Sequence, residues 1–283
     1  MYPPVTRVLS FLTMLFEEGL GYSAINTARS ALSAIVIPQN TLPIGQHPWV
    51  KRFIRGTFNR RPSLPRYNHV WDVQIVLDFL TQSPPPEELP MSKLARHLVT
   101  LLAILSGRRC QTIHAIDLRN ISLVDNTASI AINEVVKTTK PGKQEGNIVI
   151  PSFEENKKLC AVTLLRHYLR QTEKIRGSQN KLFLSTLKPY NAASKDTISR
   201  WIKETLSEAG IDISKFKSHS TRSASVSCAR TSTDIILKAA AWRRESTFRM
   251  YYKKPTWTGE EFAQSILNRS EKLRTDSSAN DNM

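Results

Sequence analysis

The 283-residue chain carries forty Lys and Arg against twenty-four Asp and Glu, a net charge of +16 that makes a polyanion the expected partner through counterion release. Its three cysteines, Cys110, Cys160 and Cys228, form no C-x-x-C or Cys/His cluster, which excludes a disulfide framework and a structural zinc site and favours a reducing compartment. The longest apolar stretch, Leu98 to Leu105, is too short to span a bilayer, and the run Val8 to Phe16 lacks the small-residue cleavage pattern of a signal peptide, so a soluble protein is expected.

Forty per cent apolar residues and only ten glycines suit a folded, mainly helical chain. Val5, Val8, Leu9, Leu12, Leu15 and Phe16 repeat at helical spacing, and Gly19 and Gly21 close that helix. Ser23 is the expected cap of a second helix running to the breaker Pro38, and Pro48 opens a third. One face of the third holds Val50, Phe53, Ile54 and Phe58, whereas the other holds Lys51, Arg52, Arg55, Arg60 and Arg61, a face suited to a DNA backbone or to solvent. Arg61-Pro62-Ser63-Leu64-Pro65-Arg66 reads as an extended linker.

Beyond it, Trp71 to Leu80 and Ser92 to Leu105 read as helices around the Pro84-Pro85-Pro86 loop. The period then changes: Asn120 to Val124, Ser129 to Asn133 and Asn147 to Ile150 predict three strands of a small antiparallel sheet. Between the last two lies a hairpin-like segment, Val136 to Lys143, with lysines around Pro141-Gly142. Helices are expected again at Cys160 to Gln171 and Thr197 to Ala209, and as three short ones over His219 to Tyr251. Trp242 and Tyr251, nine residues apart, would lie on opposite sides of one straight helix, so a break is expected at Arg243-Arg244-Glu245-Ser246. A last helix over Thr258 to Leu273 and a polar tail from Asp276 complete the chain.

Cutting and rejoining a phosphodiester without a metal needs an oxygen nucleophile, cations on the non-bridging oxygens and an acid for the departing 5′-hydroxyl. A tyrosine can supply the first, keeping the bond energy in a phosphotyrosine. Arginine forks suit the second, and a preorganised cluster of them stabilises the charge that grows on the phosphorane. No carboxylate cluster suited to Mg²⁺ stands in the sequence, which argues against polymerases and most nucleases.

Ser106-Gly107-Arg108-Arg109, a lysine in a hairpin, His219-Ser220-Thr221-Arg222 and Trp242 with Tyr251 nine residues later together resemble the tyrosine recombinases, also called the phage integrase family. The resemblance covers roughly residues 70 to 255. Within the family, the Val-Lys-Thr-Thr-Lys-Pro-Gly hairpin and the stretch from Pro65-Arg66-Tyr67 to Trp71-Asp72-Val73 look most like recombinases of DIRS-type retrotransposons.

The resemblance implies an α+β fold, mainly α with a small antiparallel β-sheet: a helical core-binding domain over residues 1–61, a linker over 62–68, a catalytic domain over 69–256, and a C-terminal helix and tail over 257–283. It implies catalytic roles for Arg109, Lys137, His219, Arg222, Trp242 and Tyr251. Arg109 and Arg222 would clamp the phosphate, and Lys137 would protonate the leaving oxygen, with Lys140 and Lys143 as alternatives. His219 would accept a proton or donate to the phosphate, and Tyr251 would be the nucleophile, with Tyr252 next in line. Trp242 stands where most members have histidine; its indole N–H can donate but does no acid-base work. Thr112 replaces an acidic residue that the family often has three positions after the first arginine.

Lys51, Arg52, Arg55, Arg60, Arg61, Arg66, Arg108, Lys140 and Arg243 are the candidate DNA contacts, Arg108 facing DNA or solvent. The implied partners are double-stranded DNA and three further copies of the chain in a tetramer on DNA, with no cofactor. A retrotransposon origin implies action in a nucleus; otherwise the place is the cytoplasm or nucleoid. A DNA-binding protein that no longer cuts, and a type IB topoisomerase, are the rival readings.

Overall fold

The computed structural model describes residues 3–36, 42–63, 69–124, 126–137, 139, 142, 146–241, 245 and 248. All of the expected third helix up to Tyr251 except Phe248, together with the helix over 258–273 and the polar tail, lies outside them. The chain forms two compact units, Met1–Arg66 and Tyr67–Met283.

In the first unit, α1 (Val5–Glu17), α2 (Tyr22–Ile35) and α3 (Pro48–Arg60) pack around Val8, Leu12, Ile25, Ile44, Val50 and Ile54. Gly19, at φ 93°, turns the chain out of α1 in a conformation that side chains rarely adopt. Gly21 rather than Ser23 is the N-cap of α2, which starts one residue before Ser23. Pro48 opens α3 as its first residue, and the His47 ring accepts the Trp49 N–H at 3.3 Å. Arg61 serves the fold of this unit: its Nη1 donates to the Phe16 carbonyl at 2.5 Å and to that of Leu20 at 3.2 Å, and its guanidinium lies 3.9 Å from the centroid of the Phe16 ring.

The second unit is built around α5 (Met91–Ser106), which α4 (Val73–Thr81) precedes. Helix α5 is buried on most sides because α7 (Ala161–Thr172), α8 (Lys195–Glu208), α9 (Ser220–Cys228) and the sheet all pack on it. The sheet is antiparallel in the order β1 (Ile121–Val124), β2 (Thr127–Ile130), β3 (Ile148–Pro151), with Val124 opposite Thr127 and Ile130 opposite Ile148. Alternation puts Ala128, Ile130, Ile148 and Ile150 into the core. The second strand starts two residues earlier than its β-branched pattern suggests. Asn126, at φ 62°, closes a two-residue turn that fixes the register.

Between α5 and β1 lies the five-residue α6 (Cys110–His114), and α10 (Thr233–Ala239) follows α9. Helix α10 ends at Ala239 and Ala241 takes φ 50°, so this helix ends before Trp242. Three consecutive alanines give no sequence signal for such a stop, which is why the break was expected only at Arg243. Among the described residues no helix is long and apolar enough to cross a membrane.

Candidate active site

The site is assembled on one turn. Helix α5 ends in Gly107, which adopts the left-handed conformation (φ 57°, ψ 19°). The chain then extends through Arg109 (φ −78°, ψ 153°), the N-cap residue of α6, so that the arginine leaves a fixed corner between two helices. The Ser106 hydroxyl donates to the Leu102 carbonyl at 2.5 Å and accepts the Arg108 N–H at 3.2 Å, which secures the corner from within. A Cβ at position 107 would lie 3.2 Å from the Ala240 Cβ and 3.4 Å from the Val226 Cγ1, so the corner also seats the end of α10. Gly107→Ala is therefore expected to destabilise the unit by about 1–2 kcal/mol through the left-handed backbone alone. Thermal unfolding should show this as a lower Tm, and a variant as stable as the wild type would contradict it.

Arg222 joins α9 to this corner. Only 2% exposed, it donates from Nη1 to the Gly107 carbonyl at 2.5 Å. Ser220, Thr221, Ser223, Ala224 and Ser225 are all buried, and their small size lets α9 lie close against α5, where the Ser225 hydroxyl donates to the Ile104 carbonyl. His219, one turn before Arg222, stands exposed at the N-cap. Burial raises the pKa of the Cys110 thiol, and the Ser218 Oγ lies 2.6 Å from the Ser199 Oγ of α8.

Lys137 arrives from the connection between β2 and β3. The Thr139 N–H donates to the Val136 carbonyl at 2.8 Å, and the Val136 N–H donates to the Thr139 Oγ1 at 3.0 Å, which closes a turn with Lys137 exposed at its second position. The Lys137 N–H donates to the Gln111 Oε1 at 3.3 Å, two residues beyond Arg109. Arg109 thus sits on the Gly107–Gln111 segment, Lys137 and Arg222 are hydrogen-bonded to it, and His219 stands one turn before Arg222. Trp242 and Tyr251, together with Arg66, Lys140, Lys143, Arg243 and Tyr252, lie outside the described residues. Phe248, three residues before Tyr251 in sequence, is fully buried with Val226, Ile236 and Ala240.

Two of the candidate DNA contacts look different in space. Arg108 is neither at solvent nor on a surface: it is 3% exposed and its Nη2 donates to the Gly146 carbonyl at 2.9 Å, because the glycine corner turns it inward toward the β2–β3 connection. Arg61 is engaged on carbonyls as above, whereas Lys51, Arg52, Arg55 and Arg60 are exposed along α3 beside Trp49, which is itself 57% exposed. Thr112 is buried within α6. Sequence reasoning missed Gln111, Ser218 and Ser199, which carry no charge and follow no apolar period; only nearness to Arg109 and His219 singles out the first two.

No model of a known protein family matches the chain, and no curated protein matches it in sequence. Solved structures do. The site-specific recombinase XerH bound to its difH substrate superposes with a TM-score of 0.58 at 15% identity, over 94% of this chain and 70% of that one. The Tn1549 transposon integrase in complex with transposon right end DNA gives 0.57 at 15%, over 94% and 84%. A lambda integrase dimer bound to a COC′ core site gives 0.50 at 15%, over 90% and 82%. At such identities the likeness speaks of architecture: this mostly helical chain with its small three-stranded antiparallel sheet has the fold of the tyrosine recombinases.

Proposed function

We propose that the chain is a site-specific DNA recombinase or integrase that cuts and rejoins strands through a 3′-phosphotyrosine. The observation that carries this reading is the placement of Arg109, Lys137 and Arg222 on, or hydrogen-bonded to, the Gly107–Gln111 corner, with His219 one turn before Arg222. Three cations and an imidazole brought to one corner suit a phosphodiester. The Tyr251 oxygen attacks the phosphorus, the P–O5′ bond breaks, and the 3′-phosphate becomes joined to the tyrosine. Arg109 and Arg222 hold the non-bridging oxygens, Trp242 donates its indole N–H, and His219 takes the phenolic proton. Lys137 protonates the departing 5′-oxygen, and reversal of these steps by another 5′-hydroxyl rejoins the strand.

Double-stranded DNA is the proposed partner, met by the exposed basic face of α3, and a tetramer of the chain on DNA the proposed working form. Action in a nucleus, for the integration of a retrotransposon of DIRS type, is the proposed setting. Incubation with a library of nicked duplexes, which lose a short 5′-terminal product after cleavage, should give a protein–DNA adduct resistant to detergent, and peptide mapping should place it on Tyr251. Mapping to Tyr252 would move the nucleophile by one residue; strong salt-dependent binding with no adduct from any duplex would overturn the reading.

A further inference from the structure

Helix α9 carries Arg222 and begins just after His219, two of the four site residues. His219 occupies the N-cap without capping the helix by its side chain. The preceding turn is held by the short-range bonds of a tight turn, Ser220 N–H to the Lys217 carbonyl at 2.8 Å and Thr221 N–H to that of Ser218 at 3.3 Å. A helix start of this kind can slip. One residue of slip rotates the following side chains by about 100°, which would carry Arg222 away from the Gly107 carbonyl.

One hold on the start comes from 149 residues upstream. The indole N–H of Trp71 donates to the Ser220 Oγ at 2.9 Å, and both groups are buried, at 6% and 0% exposure. A second contact lies beside it, where the His69 ring meets Phe216 edge-on with centroids 5.6 Å apart. Trp71 immediately precedes Asp72, the N-cap of α4, whose carboxylate accepts the Gln74 N–H at 2.9 Å, so the indole is presented from a firmly capped helix.

We infer that Trp71 is a positioning residue for the candidate active site, its indole N–H setting the start of α9 and through it the placement of His219 and Arg222. This rests on the strand-transfer reading for its catalytic consequence, but not for its structural one. A ring that merely filled the core would need no donor at this point; a positioning residue needs the donor more than the ring.

Trp71→Phe keeps most of the ring and removes the N–H, and Ser220→Ala removes the acceptor from the other side. Both should raise amide hydrogen exchange in residues 219–223 while α5 and α7 exchange as in the wild type. On a nicked duplex at saturating concentration, both should slow adduct formation about tenfold or more, with the affinity for DNA unchanged. The double variant should be no slower than either single one, since both remove one hydrogen bond. Exchange in α9 that stays at the wild-type level in both variants, or that rises equally throughout the unit, would overturn the positioning role. Failure of the wild type itself to form an adduct would instead strike the strand-transfer reading, and the exchange data would still decide the role of Trp71.

Discussion

Arg222→Ala is expected to remove strand cleavage and part of the fold together, whereas His219→Ala should remove activity and leave stability near that of the wild type. The difference follows from burial. Arg222 is 2% exposed and its Nη1 satisfies the Gly107 carbonyl, so truncation strands that acceptor and leaves a void between α9 and the corner. The expected loss is on the order of 3 kcal/mol, above the usual range for surface changes. His219 is exposed at the helix start and its side chain does not cap α9. Each substitution should reduce adduct formation by about 10²–10³-fold, the effect of removing one preorganised donor from a transition state. Denaturant titration beside single-turnover cleavage separates the two outcomes. An Arg222→Ala protein as stable as the wild type would show that the bond to Gly107 does not hold the corner.

The second large effect is one of pH. His97, 5% exposed on α5 and edge-on to Phe79, has its pKa lowered to about 4, first by desolvation and then by Arg96 and Lys93, with Glu208 opposing them. Its ordinary value is 6.5, so the folded state holds fewer protons than the unfolded chain at every pH between the two. A depressed histidine therefore contributes stability that is present above pH 6.5 and lost as the pH falls toward 4. The full loss is about 3 kcal/mol, of which about 2 kcal/mol should appear between pH 7 and pH 5. His97→Leu should flatten this slope, read as the change in unfolding free energy in urea at the two pH values. A wild type and variant with parallel pH profiles would show that His97 titrates alike in both states.

Much of this architecture can be read from the residues because it rests on periodicity. Helices α1, α3, α5, α7 and α8 follow apolar repeats, and their ends lie within a few residues of the expected positions. The strands follow from the β-branched segments, and the shift of β2 follows from a turn residue, Asn126, whose role the alternation does not reveal. Helix α9 is the instructive case. It has no apolar stripe, since Ser220, Thr221, Ser223 and Ser225 occupy its buried positions, yet it lies against the centre of the unit. Hydroxyl groups that bond to neighbouring backbone, and small side chains that permit close approach, leave no trace in a hydrophobic pattern. Its site residues were legible only as a spaced set: His219 and Arg222 with Arg109 and Lys137, two of them about a hundred residues upstream. Arg108 was misplaced because adjacent arginines look alike in sequence, and only the left-handed corner at Gly107 separates the inward one from its neighbour.

The burial of Arg222 also changes what survival of the site would mean in a lineage of such chains. A descendant that has stopped cutting DNA, but must still fold in order to bind it, would keep Arg222 for its bond to Gly107, and would keep Gly107 because any side chain there meets Ala240. Lys137 and His219 lie at the surface, where replacement costs little stability. In a set of diverged copies, the first pair would report that the protein still folds. The second pair would report whether it still has chemistry to do.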